Sequence, residues 1–313
     1  MNPRFVRRVT CPVCESSDSQ TLFRCPYGQD PIRSFIARQY ANSGVFDPTL
    51  LEGADYVLCD CPRCRLVFQE YVPDDQLSEI IYEKWLPPED SFEKKERRAS
   101  RVRGRATMEV LAVVDHFGRP AEELRVLDFG MGWGNWCRMA KAIGCDAVGL
   151  ERSPARLAHA QRLGLNVIGT SDLDPEQFDF INTEQVFEHL NDPLDAARTL
   201  ARSLRPGGVL KLSVPNGIRV RRRLRTGDWS APKGSRRSLY DVTPLQHVNC
   251  FVYRSLDMLA SRVGLRPVAR PAGAHYRYAP TWEPAPSLLK RTVGAHVRHA
   301  LRQSSNVWFT PAT

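Results

Sequence analysis

The sequence predicts an α/β protein: a doubly wound, mostly parallel sheet preceded by a small cysteine-bearing module. Three observations lead there. Short apolar runs alternate with amphipathic helical patterns from Arg125 to about Pro271, three glycines stand at alternate positions behind the first of those runs, and two Cys-x-x-C pairs lie upstream. Strands separated by helix-length segments form parallel sheets, because each crossover helix returns the chain to the edge it left.

The chain has 313 residues, of which 42% are hydrophobic and 25% charged, enough for one full-sized core and a smaller satellite. The opening "MNPRFVRRVTCPVC" has basic residues without an apolar stretch behind them, and no window has the length of a membrane span, so the reading is cytoplasmic. Net charge is +9, with basic clusters "RRASRVRGR" from Arg97 and "RVRRRLR" from Arg219. They suit an anionic partner (nucleic acid, a phosphorylated small molecule or a membrane surface) or are solvated faces.

The nine cysteines include Cys11 and Cys14 in one pair and Cys61 and Cys64 in another. Without a secretory signal this pattern favours metal over disulfides, and four thiolates in two knuckles suit one tetrahedral structural zinc. Cys25 and Cys59 stand as alternates. Four cysteine ligands leave no open position, which argues against a catalytic ion. The interior of this segment is polar with little sustained periodicity; a short helix, "DDQLSEIIYEKW", follows, and "LPPEDS" breaks it. The expected division is a zinc-binding module over 1–86, a main domain over 87–271 and a proline-rich tail with a basic helix, "SLLKRTVGAHVRHALRQ", over 272–313.

In the main domain a basic helix from about Glu93 to Phe117 leads into the strand "RVLDFG". Then follow the helix "NWCRMAKAIG", the strand "DAVGLE", the helix "SPARLAHAQRLG" with serine at its cap and proline first, and the strands "NVIGT" and "FDFINT". The helix "PLDAARTLARSLRPGG", the strand "VLKLSVPN", the helix "YRSLDMLASRVG" and the strand "LRPVARP" complete the pattern.

Gly130, Gly132 and Gly134 permit tight turning and close approach of a ligand to the backbone, and Glu151, about twenty residues on at the end of the next strand, suits the two hydroxyls of a ribose. A dinucleotide wants a further glycine where Asn135 stands. Asp128 is unhelpful beside pyrophosphate but favourable near a cationic amino group and sulfonium, so the ligand is read as S-adenosylmethionine.

With those residues in place, Arg125 to about Pro271 resembles the class I S-adenosylmethionine-dependent methyltransferases, in a Rossmann-like fold. "VLDFGMGWGNW" is similar to their glycine motif, with Asp128 and Phe129 at the strand end. "TSDLD" offers Asp172 and Leu173 for adenine; "FDFINTEQVFEHLNDP" resembles their fourth strand and loop, with Glu184 in the cofactor set; "LRPGGVLKLSVPN" resembles the fifth.

The two-knuckle segment ahead of that domain is similar to deoxysugar C-methyltransferases and related glycan and natural-product enzymes. There the resemblance implies that Tyr82 reaches the cofactor or closes the site. The catalytic segment of those enzymes reads Tyr-x-Glu-His-x-x-Tyr-Phe, and "PLQHVNCF" retains only His247 and Phe251 of it, which favours oxygen as acceptor at least as much as carbon. A hydroxyl acceptor wants a base of suitable pKa; His247 is the first candidate, and His189, with Glu188 to orient it, the second. The expected partner is a small-molecule acceptor, anionic or sugar-linked. The rival reading is an RNA-modifying methyltransferase gripping phosphates with its arginines; "NTEQVFEH" lacks the Asn/Asp-Pro-Pro-aromatic clamp for a planar base, and no aromatics interleave with the arginines.

Overall fold

Valine, leucine and phenylalanine runs at 125–129, 178–184 and 204–213 form the centre of a sheet buried on both faces, as parallel strands require. The computed structural model describes residues 2–41, 43–86, 92–93, 96–271 and 301–312. They divide into two compact units: 1–91 with 187–194 and 214–259, and 92–186 with 195–213 and 260–313.

The first unit contains β1 (Phe5–Arg7), β2 (Gln20–Pro26), α1 (Ile32–Gln39), β3 (Asp55–Asp60), β4 (Val67–Gln69), β5 (Tyr71–Pro73) and α2 (Asp75–Ile80). Strands β2, β3 and β4 form an antiparallel sheet that β11 (Asn249–Cys250) completes on the β4 edge. This corrects two expectations. The cysteine segment is more regular than its polar interior suggested: residues facing one side of β3, Tyr56 and Leu58, pack with Ile32, Phe35, Leu77 and Trp229 in one core. The unit is also discontinuous, because the β11–β4 ladder draws 214–259 out of the expected 87–271 domain. Between them lies α7 (Val220–Thr226), with α6 (Pro193–Arg202) before it in the chain.

The second unit holds α3 (Ala99–Phe117), β6 (Arg125–Phe129), α4 (Asn135–Ile143), β7 (Asp146–Leu150), α5 (Pro154–Arg162), β8 (Asn166–Ile168), β9 (Phe178–Glu184) and β10 (Leu204–Ser213). After α8 (Tyr253–Ser261) come β12 (Leu265–Val268) and β13 (Asn306–Pro311). The order is β12-β13-β10-β9-β6-β7-β8, with the five strands from β10 to β8 parallel and β13 antiparallel to both neighbours. The Rossmann-like, mostly parallel sheet is therefore as the sequence predicted. The expected tail is not merely a tail, since Val307, Trp308 and Phe309 are wholly buried in the sheet. Most of the expected basic helix lies outside the described residues.

Candidate active site

Apart from Tyr82, the cofactor-type residues belong to the second unit. Beyond Phe129 the backbone turns through Gly130, Gly132 and Gly134 at φ of 71°, 56° and 69°, the left-handed region where a Cβ is strained. A Cβ on Gly130 would lie 2.7 Å from Val186 Cγ2, and one on Gly134 2.6 Å from Leu165 Cδ1. The loop is closed by the amides of Gly130 and Met131, both donating to the Leu150 carbonyl at 2.9 and 3.0 Å. Glu151, next along, accepts from Gly132 N through Oε2 (2.9 Å) and from Arg152 N and Ser153 N through Oε1 (2.8 and 3.1 Å). Arg156 lies 3.6 Å from the same carboxylate. Asp172 closes a short turn by accepting from Gly169 N at 2.7 Å, and Leu173 follows it.

Asp128 is buried under this loop, not displayed to solvent. Its Oδ2 accepts from Cys137 N in the first turn of α4 (3.2 Å) and its Oδ1 from Asn182 Nδ2 (2.7 Å). Burial pushes its carboxyl up to about 6, against the pull of the Asn182 hydrogen bond, the Lys211 charge and the Cys137 amide. Glu184 ends β9, and Lys211 donates to its Oε2 at 2.9 Å.

In the first unit Glu188, His189 and His247 come together, their donor atoms within 4.8 Å of one another. Glu188 and His189 sit on a short turn after β9, clamped by Asn249, whose Nδ2 donates to the carbonyls of Phe187 (3.0 Å) and Leu190 (2.7 Å). Arg8 holds Asn249 Oδ1 at 2.8 Å and the Val248 carbonyl at 2.7 Å. Gln69 Nε2 donates to the His247 and Thr243 carbonyls, each at 3.1 Å. The two imidazole centroids are 5.0 Å apart.

His189 Nδ1 lies 2.9 Å from the Gln246 carbonyl and 3.0 Å from Tyr82 Oη. A carbonyl only accepts, so the contact with Gln246 O has Nδ1 as its donor, which leaves Nε2 as the ring nitrogen on the Glu188 side. That nitrogen is 3.9 Å from Glu188 Oε1, on a carboxylate that is 1% exposed. His247 differs: burial, with His189 and Lys233 adding, pushes its imidazole down to about 3 despite the opposing Tyr240 and Asp241 carbonyls. Burial thus counts against the His247 imidazole, the motif's first candidate, as a proton acceptor at neutral pH. Tyr82 meets His189 in this unit, a pairing between positions far apart in the chain.

The cysteines assemble as well. Cys11 Sγ lies 3.5 Å from Cys64 Sγ and Cys14 Sγ 3.4 Å from Cys61 Sγ, all four buried. A tetrahedron with zinc–sulfur bonds of 2.3 Å has sulfur–sulfur edges of roughly 3.8 Å, so the donor set fits one ion after a small expansion. The two knuckles repeat one geometry: Glu15 N donates to Cys11 O and Arg65 N to Cys61 O, both at 2.9 Å, with Glu15 and Arg65 at φ of 58° and 65°. Cys25 is not part of the group; its thiol lies against the carbonyls of Pro26, Gln29 and Asp30.

A family model described as a methyltransferase domain matches residues 96–270. The chain belongs to that family, and the protein is an enzyme. Among curated relatives, two ubiquinone biosynthesis O-methyltransferases are similar over part of the chain. That of Maricaulis maris is 32% identical across 31% of this chain and 44% of its own, and that of Cereibacter sphaeroides 34% across 31% and 43%. This methyltransferase chain therefore spans less than half the length of those relatives. The solved plantazolicin methyltransferase BpumL is 15% identical over 76% of this chain and 94% of its own, with a TM-score of 0.49. A possible histamine N-methyltransferase from Thermotoga maritima is 19% identical over 56% and 80%, with a TM-score of 0.39.

Proposed function

We propose that this methyltransferase moves a methyl group from S-adenosylmethionine to a hydroxyl oxygen of a small, sugar-linked or related acceptor. When bound, the cofactor supplies a methyl already activated as a sulfonium substituent. The protein's own work is to hold it, align the acceptor and take away a proton. Glu151 would hold the ribose, the Asp172–Leu173 turn the adenine, and the carboxylates of Asp128 and Glu184 would favour the cationic methionine end.

The observation that carries the acceptor half is the hydrogen bond between His189 Nδ1 and the Gln246 carbonyl. Its Nδ1 proton is committed to Gln246 O, so Nε2 is a ready acceptor, and Glu188 beside it stabilises the imidazolium that forms. The names of the relatives, O-methyltransferases, support oxygen as the receiving atom. The sugar-linked class rests on the likeness of the two-knuckle segment to deoxysugar enzymes. We assign Cys11, Cys14, Cys61 and Cys64 to one structural zinc that ties the knuckles together. We also place the protein in the cytoplasm, where its nine cysteines, none of them in a disulfide, stay reduced; among the described residues no helix is long and apolar enough to cross a membrane.

Transfer of labelled methyl from S-adenosylmethionine into fractionated cell extract tests the reading. Label in nucleotide-sugar, glycan or a phenolic or alcoholic small molecule supports it. Label in RNA, lost on raising the salt, would replace it with the RNA-modifying alternative.

A further inference from the structure

Lys211 is 1% exposed at the centre of the sheet. Burying an ammonium costs several kcal/mol unless it is fully paired, so its surroundings have to account for it. Its Nζ donates to Glu109 Oε2 on α3 (2.7 Å), Asn182 Oδ1 (2.8 Å) and Glu184 Oε2 (2.9 Å), which uses all three protons.

Register explains why these groups meet. Lys211 pairs with Asn182 across β10 and β9, and Asn182 pairs with Asp128 across β9 and β6, so the three form one row across three strands. Glu184, two residues beyond Asn182, shares its face. The Lys211 ammonium holds the Asn182 oxygen and thereby turns the amide nitrogen towards Asp128, whose other oxygen receives Cys137 N directly behind the glycine loop. A continuous line of charge-assisted bonds therefore runs from Glu184, whose side chain is 53% exposed, to the base of that loop.

The charges do not cancel. Three carboxylates, those of Asp128, Glu109 and Glu184, face two cations, Lys211 and Arg270, the latter 3.4 Å from Glu109. Their balance is one negative charge at the carboxyl edge of the sheet when all are ionised, the sign that a cationic ligand group wants.

We propose that Lys211 is a positioning residue for the methionine half of the cofactor: it fixes Glu184 and, through Asn182, Asp128, as the carboxylates that receive the α-amino end. This rests on the reading that the Asp128–Glu184 edge takes that end. Lys211 itself touches no reacting atom. Loss of the ammonium frees Glu184 to rotate and lets Asn182 flip, while the ribose contacts at Glu151 belong to different backbone and are untouched.

The test compares two probes that share the adenosine half. S-Adenosylhomocysteine carries the amino-acid end and 5′-methylthioadenosine lacks it. Calorimetric titration of the full chain should show the wild type preferring S-adenosylhomocysteine. The variant is Lys211→Met combined with Glu109→Gln, which leaves the net charge of the group unchanged, with thermal unfolding to confirm a folded protein; Lys211→Met in the presence of 5′-methylthioadenosine is the second preparation. The expected result is a loss of tenfold or more in S-adenosylhomocysteine affinity with 5′-methylthioadenosine within twofold of wild type. Equal losses for both probes would show a purely structural lysine and overturn the proposal, as would unchanged affinity for both. A wild type that binds the two probes equally would instead sink the underlying reading of the edge.

Discussion

Gly132 donates its backbone N–H to Glu151 Oε2 at 2.9 Å, so the carboxylate at the end of β7 ties down the glycine loop ahead of it. One acid thus shapes the loop, and on the proposed reading it also receives the ribose hydroxyls. Hydrogen bonds to a charged partner are worth about 1.5–3 kcal/mol, so Glu151→Ala should weaken S-adenosylmethionine by about ten- to a hundredfold. Glu151→Gln should recover part of that. Isothermal titration checks it, and unchanged affinity in the alanine variant would refute the ribose assignment.

For the acceptor side, His189→Ala should lower turnover by about a hundredfold or more with cofactor affinity near wild type, the usual contribution of general-base catalysis. His247→Ala should cost less, since its imidazole is a poor proton acceptor at neutral pH. Steady-state kinetics on the acceptor, once found, decides; a reversed ranking would return the role of base to His247.

Metal analysis of purified protein should find about one zinc per chain. Cys61→Ser should release it and destabilise the first unit, because a knuckle with three thiolates holds zinc far less firmly. Retention of the full metal content would disprove the assignment to these four cysteines.

Asp128 gives a pH signature. Its folded pKa of about 6 lies above the unfolded value near 3.8, so the native state holds this proton more tightly. The associated stability is fully present below about pH 4 and is lost as pH rises through 6. That difference corresponds to on the order of 2–3 kcal/mol. Denaturant unfolding of the ligand-free protein and of Asp128→Asn, compared between pH 4 and 7, should show the wild type declining relative to the variant; parallel curves would contradict it.

Much of this was legible because the second unit obeys local rules. The glycine loop, the acid after β7 and the strand-helix alternation all follow from side chains close in sequence. Glu188, His189 and His247 were picked out by motif resemblance, which marks positions; the burial of His247 and the Gln246 carbonyl beside His189 come from contacts that such a motif does not carry. Arg8, Gln69 and Asn249, which hold the cluster, were not foreseeable, since each acts through backbone carbonyls brought near by the β11–β4 ladder. Lys211 left a visible sign, a lysine inside "VLKLSV", but its partners come from three other positions. β13 was missed because "NVWFTP" stands at the end of a stretch read as a proline-rich tail with a basic helix, far in sequence from the strands it pairs with.

That late strand has a consequence for synthesis. β13 lies between β10 and β12, both made well before it, and covers the side of β10 with Val307, Trp308 and Phe309. A ribosome reading this message releases β10 with one side unpaired, and that side stays so until another hundred or so codons have been translated. During this interval the nascent chain exposes an adhesive rim, the situation in which chaperones are recruited and neighbouring copies stick. Slow translation of the stretch that precedes β13 should therefore lower soluble yield, and a peptide spanning Ser304–Ala312 supplied in trans should raise it.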